Sequence, residues 1–136
     1  MKKFFLVSLF LFGFVTAHAV GTPNIGECTR NSACTNFYCY WSSVGDADYY
    51  EWKAEVNGVS GCGTWCQMDE DDTTGTSFST NDVFLGAYST YWKGSVRSVA
   101  YIPIQVWNPI TRTWYITWVP GEFSSWDSYP VSVVNC

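Results

Sequence analysis

Between positions 49 and 56 the side chains alternate. Tyr50, Trp52, Ala54 and Val56 are bulky or apolar, while Tyr49, Glu51, Lys53 and Glu55 carry the charge. A period of two with bulk on one side predicts a half-buried strand over 49–56. Asn57-Gly58 closes it with a turn dipeptide. Phe37, Cys39 and Trp41 keep the same period and predict a second strand over 36–42, with 42–48 as the loop between the two.

The same reading extends along the chain. Residues 28–30 form a short first strand, turned by Asn31-Ser32-Ala33. Residues 64–68 read as a short edge strand, 69–75 as an acidic loop, and 76–79 as a strand with Phe78 as its one large apolar residue. Residues 81–86 connect. Over 88–100, Trp92, Val96 and Ala100 share one face, while Lys93, Ser95 and Arg97 occupy the other. Residues 101–107 and 114–119 read as the arms of an extra hairpin that turns through 108–113. Pro103 places the first arm at an edge or beside a bulge. Residues 128–134 close the domain. There is no helical periodicity and no internal repeat, so the chain is expected to be an all-β, antiparallel sandwich or barrel.

Residues 1–19 have the form of a signal peptide: Lys2 and Lys3, an apolar run over 4–15, then Ala17-His18-Ala19. This predicts a secreted protein, extracellular or periplasmic, with residues 20–136 as one domain. The formal net charge is −5 and deepens by two when Lys2 and Lys3 leave. An acidic chain with no basic cluster argues against nucleic acid as a partner. No later apolar run is long enough to be a transmembrane segment.

Six cysteines follow the signal: Cys28, Cys34, Cys39, Cys62, Cys66 and Cys136. An even count in a small exported chain reads as a disulfide framework. A zinc site is the competing reading, but His18 is the chain's one histidine and the spacings lack paired C-x-x-C motifs. The same lack of histidine excludes Ser-His and Cys-His nucleophile systems after residue 19. A glycosidase would need two facing carboxylates. Glu51 and Glu55 flank Lys53 and look like a solvated strand face. The sequence therefore predicts no enzyme, no catalytic residue, no metal and no cofactor.

Several segments resemble the fibronectin type III family, in the divergent form found in exported bacterial proteins. Residues 40–58, YWSSVGDADYYEWKAEVNG, carry Trp41, Ala47 and Tyr50 in the family's places. Gly75-Thr76-Ser77-Phe78, Gly94-Ser95-Val96-Arg97-Ser98 and SSWDSYPVSVV over 124–134 resemble its later strands. Trp92 stands where the family usually has a corner tyrosine, and 101–119 is longer than the usual connection between the last two strands. The resemblance implies an immunoglobulin-like β-sandwich of fibronectin type III topology, with an extra hairpin between the last two strands. It implies binding, adhesion or spacing and no shared active site, so no functional residue is carried over.

In such a sandwich, antiparallel pairing sets Cys28 opposite Cys39, a feasible bridge. The last strand would bring Cys136 near Cys34, leaving Cys62 and Cys66 to close a tight loop. This is one of fifteen connectivities. A redox role for Cys62 and Cys66 lacks the two-residue spacing that lowers a thiol pKa. The run Asp69-Glu70-Asp71-Asp72 has calcium-type ligands, weighed against a solvated segment that guards an edge.

Aromatic residues make up 19% of the chain. Trp41, Trp52 and Trp92 are core candidates by phase. Trp107, Trp114, Tyr115 and Trp118 crowd the hairpin and are the candidate binding residues. Alternation divides the hairpin into an inward set (Ile102, Ile104, Val106, Tyr115, Thr117) and an outward set (Trp107, Trp114, Trp118). The competing reading makes Trp107 and Trp114 a cross-strand clip. The function expected is a non-catalytic binding or adhesion domain with an unidentified protein or glycan ligand. The alternatives are a small carbohydrate-binding module using the hairpin rings, or a structural subunit of a surface assembly.

Overall fold

A computed structural model describes residues 19–81 and 89–134. The expected signal peptide up to residue 18, most of the connection 81–86, and Cys136 lie outside the described residues. Eight strands follow in order: β1 Thr29–Arg30, β2 Asn36–Tyr40, β3 Tyr49–Asn57, β4 Trp65–Thr73, β5 Ser77–Asn81, β6 Tyr91–Asn108, β7 Thr113–Phe123 and β8 Asp127–Ser132. No helix occurs among the described residues. Pairing is antiparallel throughout. One sheet has the order β1-β2-β5. The other has the order β4-β3-β6-β7, with β8 also on β6. The two pack into the expected β-sandwich.

The core forms where the apolar phases of the two sheets meet. Phe37 of β2 stacks on Trp92 of β6 at 4.5 Å between ring centroids, and Trp52 of β3 stacks on Phe78 of β5 at 4.2 Å. Trp41 meets Tyr50 edge-on at 5.4 Å. The rings expected inside are therefore inside, and Trp92 is wholly buried. Val44 N donates to Tyr50 Oη at 2.7 Å, tying the 42–48 loop to the strand that follows it.

Thr29 faces Tyr38 across β1 and β2, which places Cys28 opposite Cys39, and the two form a disulfide. Gly94 on the facing strand packs directly on this bridge. A Cβ at Gly94 would meet Cys39 Sγ, so only glycine lets β6 approach there. Cys62 and Cys66 are also bridged, as expected. Cys34 is buried, and its expected partner Cys136 lies outside the described residues.

Two sequence expectations need correction. The acidic run 69–72 is not a loop: β4 continues through it to Thr73, paired with β3. A bulge between Ala54 and Glu55 lets the ladder continue. An edge strand needs only one partner and can carry exposed carboxylates, so poor strand propensity did not end it. Residues 101–107 are likewise no separate arm. They are the second half of β6, which runs unbroken through 18 residues, with a register shift between Ala100 and Tyr101 as it leaves the sandwich.

Candidate functional site

β3 covers β6 only from Trp92 to Val99. Asp48 marks the limit: its N–H donates to Val99 O at 2.9 Å, and its carboxylate accepts from Tyr101 N at 2.6 Å. Beyond this point β6 pairs with β7 alone, from Tyr101 opposite Pro120 to Asn108 opposite Thr113. Residues 101–120 thus form a two-stranded ribbon extending past the sandwich. At its base Gly121 lies under Ile102, whose side chain fills the space of a Cβ. At its tip Asn108 Oδ1 accepts from Ile110 N at 2.9 Å and Thr111 N at 3.2 Å. Arg112 completes the turn with φ 55°.

Opposed residues in an antiparallel pair share a face. Trp107 pairs with Trp114, Pro103 with Trp118, and Gln105 with Ile116, so the three expected outward tryptophans share one face. Trp107 and Trp114 touch at 5.4 Å between centroids. They are a cross-strand pair, yet they remain 44% and 64% exposed, and Trp118 is 63% exposed. Ile102, Ile104, Val106, Tyr115 and Thr117 share the opposite face, as the alternation predicts. Ile102, Ile104, Val106 and Thr117 are half-buried there. Tyr115 is itself exposed, and none of the five belongs to the core cluster. β3 ends its pairing at Val99, so beyond that point β6 also has an open edge, among the described residues, on the side away from β7.

A second feature lies on the outer face of the five-stranded sheet. Glu51 faces Arg97 and Glu55 faces Lys93 across β3 and β6. Arg97 Nε donates to Glu51 Oε2 at 2.6 Å, and the guanidinium lies 4.5 Å from the Phe123 ring and 4.8 Å from the Trp126 ring. Lys93 Nζ lies 3.0 Å from Glu55 and 4.2 Å from the Trp65 ring. A groove of about 440 Å³ runs between Trp126, Arg97, Glu51 and the β4 carboxylates Glu70, Asp71 and Asp72. The sequence reading missed this site. Its one signal was the alternation of charge on β3 and β6, which reads as ordinary solvation until the register sets Glu51 beside Arg97.

The β4 carboxylates alternate between two faces. No group of three or more His, Cys, Asp or Glu side chains among the described residues is gathered for a metal. Asp72 has its pKa raised above the usual carboxylate value, first by loss of hydration and then by Glu51, Asp71 and Glu70. A raised folded-state pKa means that the folded chain binds this proton more tightly than the unfolded chain, so ionising Asp72 opposes folding. Asp72→Asn is therefore expected to raise the melting temperature slightly at pH 7. The gain should close as the pH falls through the carboxylate range, which paired thermal melts at pH 7 and pH 3 would check.

No family model, curated protein or solved structure matches the chain. No helix among the described residues is long and apolar enough to cross a membrane.

Proposed function

We propose that this is an exported, non-catalytic domain that binds or adheres through the ribbon 101–120. The observation that carries the reading is the exposed row of Trp107, Trp114 and Trp118 on a ribbon whose two strands pair there with no third described strand. Apolar patches of this kind mark contact sites, because leaving large rings in water forgoes their burial energy. Export is supported by the two disulfides, which persist in oxidising compartments. A fibronectin type III-like origin belongs to the same proposal. Its support is the sandwich itself and the edge-on contact between Trp41 and Tyr50, two of the residues that carry the resemblance.

A glycan is the second reading, and the groove favours it. There an exposed Trp126 stands beside Glu51, Asp72 and Arg97, an apolar plane flanked by hydrogen-bonding groups. A glycan array and a cell-surface binding assay separate the two. Replacing Trp107, Trp114 and Trp118 with Ser is expected to abolish surface binding, while Trp126→Ala leaves it near the parent level. Loss with Trp126→Ala alone would move the site to the groove.

A further inference from the structure

We propose that the ribbon's partner is a second copy of this chain, joined by antiparallel pairing of β7 with β7 about a two-fold axis at Ile116. This rests on the ribbon being the contact element.

The first support is a contrast within one sheet. Its outer strands are β4 on one side and β7 and β8 on the other. β4 is guarded by Asp69, Glu70, Asp71 and Asp72, charges that discourage strand addition. The β7 stretch Thr113-Trp114-Tyr115-Ile116-Thr117-Trp118-Val119 carries no charge, and its outer edge is unpaired among the described residues. The β4 edge is thus guarded and the β7 edge is not, and β7 bears Trp114 and Trp118.

The second support is the order of residues along that edge. About Ile116 one tryptophan stands at equal distance on each side, Trp114 and Trp118. A two-fold axis there sets Ile116 against Ile116 of the second copy. Each Trp114 then stands opposite Trp118 of the other copy. Trp114, Ile116 and Trp118 already share one face with Trp107 and Pro103. The pairing therefore continues a single row of rings across four strands, and opposed aromatic pairs stabilise sheets. A β7–β7 pairing one residue out of register would lose this match.

Charge agrees. Arg112 is the one charged residue in 101–120. In this register it lies opposite Pro120 of the second copy, next to Glu122 at the base of that ribbon. Trp114 and Trp118, 64% and 63% exposed, lie on the pairing strand itself, and each gains a ring of the second copy across the new strand pair.

The axis residue pairs with itself, which gives a specific test. Ile116 is 63% exposed and lies opposite Gln105, so charged substitutions there leave the fold intact. The oxidised protein is expected to sediment as a dimer at about 100 µM, well above a micromolar dissociation constant. Ile116→Lys and Ile116→Glu should each sediment as monomers, since like charges stand directly opposite. Their equimolar mixture should recover the dimer. As an independent check, Ile116→Cys should form an intermolecular disulfide on oxidation, while Ile110→Cys at the tip, which does not face its own copy, should form none. A monomeric parent, charged variants that remain dimeric, or a mixture that stays monomeric would overturn the proposal. Cell-surface and glycan binding separate its failure from that of the contact reading. A monomeric parent that loses surface binding in the triple Ser variant refutes only the second copy. A monomeric parent whose surface binding survives that variant refutes both.

Discussion

Trp92→Ala is expected to cost about 3–5 kcal/mol of folding stability, the range for large aromatic truncations in cores. Trp92 is wholly buried, stacks on Phe37 at 4.5 Å and tilts against Phe78 at 6.1 Å. It is the ring on β6 through which the two sheets meet, so removing it opens a cavity bordered by both. Domains of this size have total stabilities of about 5–15 kcal/mol, so the variant should melt far below the parent in urea. A loss under about 1 kcal/mol would mean that Trp92 does not pack between the sheets.

The second large effect is expected at the Cys28–Cys39 bridge. It joins residues 11 apart, and Cys39 is wholly buried against Gly94. Replacing both cysteines with Ala removes a cross-link that restricts the unfolded chain and also deletes sulfur from the core. The expected cost is about 2–4 kcal/mol. The Cys62–Cys66 bridge spans only 4 residues at the margin of the sheet, and its removal should cost less. Denaturant melts of the two double variants would show the order, and the reverse order would place the weight of the fold on the wrong loop.

Much of the sandwich was legible because period-two alternation is a local signal. Trp52 and Val56 on one phase and Glu51 and Lys53 on the other define β3 without any knowledge of its neighbours. The Cys28–Cys39 bridge followed from a turn and a register. β4 was misread where its residues are acidic, because an edge strand has no apolar face to announce it. The length of β6 was hidden by Pro103 and by the register shift at Ala100, which together imitate the end of a strand.

The ribbon's two faces were legible, since alternation alone separates Trp107, Trp114 and Trp118 from Ile102, Ile104 and Val106. Where the ribbon leaves the sheet was not, because that depends on where β3 stops pairing, a limit marked by Asp48 about fifty residues upstream in the chain. The groove was hidden for the same reason. Trp126 lies outside every strand, and it meets Lys53 of β3 and Arg97 of β6 only once the sheet has formed.

The claim that unites these observations is that the ribbon's rings serve contact and not the core. Trp107→Ser, Trp114→Ser and Trp118→Ser combined test it most directly, by thermal melt at high dilution, where association no longer adds stability. A cross-strand ring pair is worth about 0.5–1.5 kcal/mol beyond its area, and two-stranded ribbons are only marginally stable alone. The ribbon should therefore fray while the sandwich unfolds cooperatively within a few degrees of the parent. If the triple variant instead fails to fold, the tryptophans belong to the core, and the contact reading is contradicted.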